Sequence, residues 1–190
     1  MHLNITEEEL TGFSNFNHCP SESYGRQELY KADNYGIYVM SWNPGDFTAI
    51  HSHGHSEWGA VYFLGNAEHR VYRAEGNTLK LMIAEIIKKK SIAPVCGQMV
   101  HAMGNLSDRS FLTLHIYGSN TYKGAITEDS IIYEPDKNRR RTTVGPAFLN
   151  ISDRFCKHDQ AGIVNDEATR QDFKNFSKAF FSRNNIELAF

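Results

Sequence analysis

The sequence predicts a mainly β fold, an antiparallel sandwich or barrel with a short helix near the N-terminus and a helix near the C-terminus. Short runs of branched and aromatic residues recur between about residues 26 and 150, and turn signals separate them. No helical pattern interrupts these runs, which disfavours an alternating α/β arrangement. The chain has 190 residues, of which 41% are hydrophobic, enough for one domain with a substantial core.

The elements follow in order along the chain. A short helix is predicted over residues 6–16, because Thr6 can cap it and Glu9 completes a capping box. Strands are predicted over residues 36–42, 47–53, 58–65, 69–74, 79–87, 111–118 and 130–134. Turn residues at 43–45, 75–77, 105–108 and 135–136 separate several of these strands.

The end of the chain changes character. Residues 166–182 place four phenylalanines at helical spacing, which predicts an amphipathic helix whose aromatic stripe docks on the sheet. These are Phe173, Phe176, Phe180 and Phe181. We therefore expect one domain over residues 1–190, with a β core at about 26–150 and a helical extension at about 160–190.

Composition limits the functional classes. The net charge is −2 without a basic stripe, which argues against a nucleic-acid partner. No apolar run reaches the roughly 18 residues of a membrane span, and no signal peptide is visible. The three cysteines are Cys19, Cys96 and Cys156, and this wide, odd set predicts neither a disulfide framework nor a zinc ribbon. We expect a cytoplasmic protein, monomeric or weakly self-associating.

Three histidines indicate a metal site. His51 and His53 lie in the run GDFTAIHSHGHSEWG, and His101 lies in the run PVCGQMVHAMGN. On a strand, residues two apart point to the same side, so both imidazoles of the first run can face one metal ion. Three imidazoles without a thiolate suit Fe(II), Zn(II), Mn(II), Ni(II) or Cu(II), which leaves the metal open.

Two further groups suggest a reactive centre. In the run SFLTLHIYG, Thr113, His115 and Tyr117 share one strand face, so the threonine can orient the imidazole and the imidazole can orient the phenol. Upstream, Arg26 follows Tyr24 and Gly25, and its guanidinium could hold a substrate carboxylate by two hydrogen bonds.

These motifs carry a resemblance to a known family. The spacing of Gly45, His51, His53 and Glu57, followed by Gly97, His101 and Asn105, resembles the two motifs of the cupin superfamily. The ordered set Y24-G-R26, H51-S-H53, H101-A-M-G-N105 and T113-L-H115-I-Y117 is similar, more narrowly, to the cysteine dioxygenase family. The resemblance spans roughly residues 20–150.

The resemblance implies a jelly-roll β-barrel and a site role for each matching residue. His51, His53 and His101 would bind Fe(II), and Arg26 with Tyr24 would bind the carboxylate of the substrate. Tyr117 would be the phenol near the iron, supported by Thr113 and His115. The substrates would be a small thiol, best matched by L-cysteine, and O2, and the product would be a sulfinic acid.

Some positions depart from the family pattern and leave alternatives open. The crosslinking cysteine of animal members is replaced by Trp58, so we expect no thioether crosslink. Glu57 could serve as a fourth metal ligand, which would favour a cupin enzyme acting on another small thiol or acid. A cupin that binds a metal or ligand without catalysis is a third possibility.

Smaller features receive simpler interpretations. His55 could stand in or near the metal site, and Cys96 could have a catalytic role, although a free cysteine is commonly just packed in a protein. The basic runs 88–90 and 139–141 are predicted to be solvated turns.

Overall fold

The structure, a computed structural model that describes residues 4–187, consists mainly of two β-sheets. The first sheet has five strands in the order β1-β2-β9-β4-β7, and the second has eight in the order β12-β11-β10-β3-β8-β5-β6-β13. Neighbouring strands pair antiparallel, apart from the short parallel pair of β13 with β6.

The strand bounds are β1 Gly25–Lys31, β2 Tyr35–Trp42, β3 Ile50–His51, β4 Trp58–Phe63, β5 Ala67–Glu75, β6 Thr78–Ile87, β7 Ile92–Cys96, β8 Val100–Gly104, β9 Phe111–Gly118, β10 Ser130–Glu134, β11 Arg139–Thr143, β12 Cys156–Ala161 and β13 Val164–Asn165. Helix α1 covers Glu7–Thr11 and helix α2 covers Glu167–Arg183.

Successive side chains of a strand point to opposite faces of its sheet, so apolar residues pack both between the two sheets and on their outer faces. Residues such as Trp42 and Phe63 of the first sheet pack with Met103 and Ile132 of the second, so the main core lies between the two sheets. On the outside of the first sheet, Leu10 of α1 contacts a smaller apolar cluster. The predicted mainly β jelly-roll architecture, with a short N-terminal and a C-terminal helix, is confirmed.

The two helices follow the predicted capping and burial. The Thr6 hydroxyl accepts from the Glu9 amide, and the Glu9 carboxylate accepts from the Thr6 amide, which forms the capping box. Helix α1 ends at Thr11, earlier than predicted, because Gly12 and the polar residues after it favour turns. In α2 the four predicted phenylalanines are buried against the outer face of the second sheet.

The β region differs from the prediction in several places. Strands β1 and β7 were not predicted, and of the predicted strand 47–53 only Ile50–His51 is a strand. The run 139–141 forms strand β11 instead of a solvated turn, because acidic residues pair with Arg139 and Arg141 and Gln160 bonds to Arg140. The Arg141 guanidinium, for example, is buried and contacts Asp159 and Asp153 at 2.8 Å and 2.6 Å. Strands also continue beyond residue 150, through β12 and β13 to Asn165. Among residues 4–187, no helix combines the length and hydropathy needed to cross a membrane.

Candidate metal centre

Three histidines converge between the sheets, from two neighbouring strands and the segment after one of them. His51 ends β3 and lies opposite His101 of β8 in the strand register. His53 follows just past the strand, before a turn at Gly54. Gly54 has a φ of +58°, and a Cβ there would lie 2.0 Å from the Glu128 carbonyl oxygen, so this turn requires glycine. A strand end and a turn, rather than one continuous strand, bring His51 and His53 together.

The ring nitrogens of these histidines lie close enough to share one ion. One nitrogen of each ring lies within 4.8 Å of the others, and all three side chains are buried. The Nε2 atoms of His53 and His101 are 3.1 Å apart. Buried nitrogens that face one another in this way fit a transition metal with open coordination positions.

The ring nitrogens that face away from the cluster also support a metal site. His51 Nδ1 lies 2.9 Å from the Ala49 carbonyl, which can only accept, so Nδ1 carries the proton and Nε2 is left with a free lone pair. Among the described residues, His53 Nδ1 is buried without a hydrogen-bond partner. A metal at Nε2 would fix the proton of His53 on that Nδ1.

Burial keeps these imidazoles neutral. It lowers the pKa of His51 to about 4, and it holds the pKa of His53 and of His101 well below the usual range, with neighbouring histidines adding to the effect. At neutral pH the three rings therefore offer uncharged lone pairs, the form that binds a metal.

A chain of hydrogen bonds on β9 ends beside the histidines. Thr113 Oγ1 lies 2.7 Å from His115 Nε2, and His115 Nδ1 lies 2.7 Å from the Tyr117 hydroxyl. We call these three residues the phenol relay. The ring of Tyr117 lies 5.5 Å from that of His53, centroid to centroid. Trp42, which the sequence did not indicate, donates from Nε1 to Thr113 Oγ1 at 2.8 Å.

A small cavity joins the phenol relay to the histidines and to Arg26. It encloses about 300 Å³ of empty space, including its opening to solvent, and Tyr24, Arg26, His51, His53 and Tyr117 are among its lining residues. The part of it that the centre of a water molecule can reach is about 20 Å³, room for about one water, so any larger ligand would lie partly in the opening.

The Arg26 guanidinium lies at this cavity without an acidic partner. Its Nη2 donates to Thr127 Oγ1 at 3.4 Å, and its Cζ lies 4.2 Å from the centre of the Tyr38 ring. Within the described part of the chain, no carboxylate forms an ion pair with Arg26. The Tyr24 hydroxyl accepts from the Ala147 amide at 3.1 Å, so Tyr24 fixes the wall of the cavity.

Three other candidates lie away from this centre. The exposed Glu57 carboxylate accepts from the Asn120 amide at 2.6 Å and from the Thr121 hydroxyl, so it anchors a loop and is no fourth ligand. His55 stacks on Tyr122 and contacts Asp129 at 3.0 Å. Cys96 is exposed on β7.

The strand register also shows which residue lies beside the Tyr117 phenol. Trp58 pairs with Gly118, whereas Gly59 pairs with Tyr117. A Cβ at Gly59 would lie 2.9 Å from Cδ1 of the Tyr117 ring. The residue beside the phenol is therefore Gly59, one position later than the sequence spacing predicted.

Two residues behind His101 were also missed. His69 of β5 contacts His101, and Glu85 of β6 contacts His69. No periodicity links them in the sequence, because each lies on a different strand.

Comparison with known proteins gives distant likenesses. No family model matches the sequence. A conserved protein of Klebsiella pneumoniae subsp. pneumoniae with a double-stranded β-helix domain is 19% identical, with a TM-score of 0.47 over 63% of this chain and 93% of that chain. The cupin domain of Schizosaccharomyces pombe Cnp3 is 15% identical, with a TM-score of 0.44 over 53% and 67%.

An oxalate oxidase structure is 13% identical, with a TM-score of 0.45 over 56% of this chain and 55% of that chain. Such distant likenesses carry no argument about the reaction, and the case for the fold rests on the two facing sheets. The chain folds as two facing β-sheets that enclose a three-histidine cluster suited to a metal.

Proposed function

We propose that this protein is a mononuclear non-haem Fe(II) thiol dioxygenase and that L-cysteine is its preferred substrate. The observation that carries the proposal is the meeting of three different groups at one small cavity. Neutral histidine nitrogens, a buried phenol and a guanidinium without an acidic partner all line it. A metal-binding cupin without catalysis would not require the phenol or the guanidinium.

His51, His53 and His101 would hold the iron through the nitrogens that face one another. When bound, Fe(II) supplies open positions for the substrate thiolate and O2 and the redox chemistry that joins them. The three ligands are neutral, so the charge of the metal is left to favour a thiolate.

Arg26 would bind the carboxylate of the substrate. A half-buried guanidinium without an ion pair leaves donors available, and a carboxylate matches their planar geometry. Binding at Arg26 would orient a small amino acid so that its thiol points toward His51 and His53, which line the same cavity. This arrangement favours cysteine over thiols that lack a carboxylate.

Tyr117 would donate a hydrogen bond into the cavity. The indole of Trp42 can only donate, so Thr113 accepts from it and is free to donate its own hydroxyl hydrogen to His115 Nε2. His115 Nδ1 then donates to the Tyr117 oxygen, which leaves the phenol hydrogen free. Burial raises the pKa of Tyr117, so the phenol keeps this hydrogen at neutral pH.

The reaction balances without another reductant. One thiol and one O2 give one sulfinic acid, because sulfur loses the four electrons that O2 takes up and both oxygen atoms remain in the product. The phenol can stabilise negative charge that develops on oxygen as the O–O bond breaks, and its hydrogen bonds hold it in place for this.

A panel of thiols tests the proposal. The Fe(II)-reconstituted protein should consume O2 and form a sulfinate with L-cysteine faster than with cysteamine, which lacks the carboxylate. Arg26→Ala should raise KM for L-cysteine about tenfold to a hundredfold, from the loss of a charge-assisted pair worth roughly 1.5–3 kcal/mol, and leave KM for cysteamine unchanged. Tight metal binding without turnover of any thiol would contradict the proposal and favour a binding protein.

A further inference from the structure

Behind His101, a line of polar side chains runs from the metal site to the surface. His101 Nδ1 lies 3.0 Å from His69 Nε2, and His69 Nδ1 lies 3.0 Å from Glu85 Oε1. We call Glu85 and His69 the carboxylate relay. His69 is 7% exposed, whereas half of the Glu85 side chain is exposed, so the relay begins in solvent and ends at a buried ligand.

The strand register creates this line. Glu85 of β6 lies directly opposite His69 of β5, and Val71, two residues after His69, lies opposite His101 of β8. His69 and His101 are therefore diagonal neighbours on the same face of the sheet. Three adjacent strands each contribute one side chain.

The donors and acceptors of this line have only one consistent direction when Glu85 is a carboxylate and His69 carries one proton. A carboxylate only accepts, so His69 Nδ1 donates to Glu85 and His69 Nε2 is left as an acceptor. His101 must then donate from Nδ1, which leaves a lone pair on its Nε2. That Nε2 is the nitrogen that faces His53.

The three proposed ligands differ in what holds their outer nitrogen. His51 Nδ1 is held by the main-chain carbonyl of Ala49, and His53 Nδ1 bonds to no side chain of the described residues. His101 alone of these three is held by other side chains. Its tautomer and ring plane can therefore be changed by mutation without altering a ligand.

We propose that Glu85 and His69 position His101 as a metal ligand and strengthen the binding of the metal. The inference rests on the proposed metal centre and extends it to two residues of the second sheet. Outer partners of ligand histidines fix ring orientation and raise ligand basicity, and their loss typically weakens metal binding about tenfold to a hundredfold.

Co(II) is a suitable probe, because its absorption spectrum reports the ligand geometry without turnover. The dissociation constant of Co(II), measured by competition with a chelator, should rise about tenfold in Glu85→Ala and up to about a hundredfold in His69→Leu. His69→Gln retains an acceptor for His101 and should recover part of the loss. Glu75→Ala removes an exposed carboxylate from the same β5–β6 hairpin and should bind Co(II) as the wild type does.

The outcomes separate the relay from the metal centre. If the wild type binds Co(II) and both Glu85→Ala and His69→Leu bind it equally tightly with the same spectrum, the carboxylate relay has no such role. If the wild type itself does not bind Co(II) or Fe(II), the proposed metal centre is wrong and the relay falls with it. Because Glu85 is half exposed, its variant tests the inference even if His69→Leu fails to fold.

Discussion

Two hydrogen-bonded relays reach the candidate metal centre from opposite sheets, and they differ in construction. The phenol relay lies on the single strand β9, and all three of its residues are buried. The carboxylate relay crosses from β6 to β5 and reaches His101 on β8, and it begins at the half-exposed Glu85. One ends at a phenol and the other at a nitrogen proposed to bind the metal.

This difference assigns the relays separate tasks. The phenol relay contributes no ligand, so it can influence turnover without changing how the metal is held. The carboxylate relay has no atom at the cavity, so it can act only through His101. Variants of the two relays should therefore separate turnover from metal affinity.

The largest expected effect is at His101, where the carboxylate relay meets the metal centre. His101→Ala removes one of three ligand nitrogens and leaves His69 without its partner. Metal affinity should fall by more than about a hundredfold, beyond the range of outer partners, and turnover should be lost. The metal content after anaerobic reconstitution measures this. His55→Ala is the matched control, because His55 lies outside the cluster, and an equal loss there would contradict the assignment.

A smaller effect on rate is expected at the end of the phenol relay. Tyr117→Phe removes the hydroxyl but keeps the ring, so kcat should fall about a hundredfold or more while the dissociation constant of the metal stays unchanged. The two measurements are made on one preparation, with Tyr122→Phe as the control outside the relay. Weaker metal binding in Tyr117→Phe, with kcat retained, would reverse the assignment of tasks.

Burial of the histidines predicts a dependence of stability on pH. An unfolded histidine binds a proton as pH falls below about 6.5, whereas folded His115 resists protonation down to about pH 3 and His51 down to about pH 4. The stabilisation that comes from keeping these two rings neutral is therefore complete above about pH 6.5. It is lost progressively as pH falls toward the folded-state pKa values of the two rings.

At pH 5 this loss reaches up to about 2 kcal/mol for each such histidine, by the free energy of one pKa unit. Urea unfolding of the metal-free protein should show a lower midpoint at pH 5 than at pH 7. His115→Asn should reduce this dependence, because the phenol relay then contains no buried imidazole. Equal urea midpoints for the wild type at pH 5 and pH 7 would contradict the neutral, buried state of these rings.

The smallest effect is expected at Glu57, which contacts neither relay. Glu57→Gln should leave the dissociation constant of the metal unchanged, because its carboxylate is held by the loop at Asn120 and Thr121. Chelator competition against the wild type measures this. A large loss of affinity would restore Glu57 as a fourth ligand.

The phenol relay lies on one strand and the carboxylate relay crosses several, and this explains which parts of the site could be predicted from sequence. Residues two apart on one strand share a face, so Thr113, His115 and Tyr117 could be grouped from their spacing alone. His69 and Glu85 are separated by a hairpin turn, and their contact depends on a register that includes an irregularity after Val71. Spacing along the chain contains no signal for that alignment.

The fold likewise contains elements that local sequence predicts and elements that depend on distant contacts. The apolar periodicity of α2 and the alternation in β2, β9 and β10 predicted those elements well, because local pattern and burial agree there. Strand β11 was missed because its arginines find partners on other parts of the chain, such as Asp153 and Asp159 for Arg141 and Gln160 for Arg140. Trp58 was taken as the residue near Tyr117, but the strand register, which the sequence does not reveal, places Gly59 there.

The central claim, that the three histidines hold an iron that oxidises a thiol, is tested most directly by stoichiometry. The protein is reconstituted with Fe(II) without oxygen and then given L-cysteine and O2, and the O2 consumed and the cysteine sulfinic acid formed are measured together. The account predicts one sulfinic acid for each O2, with both lost in His101→Ala. Consumption of O2 without sulfinic acid, or the same yield from His101→Ala, would contradict it.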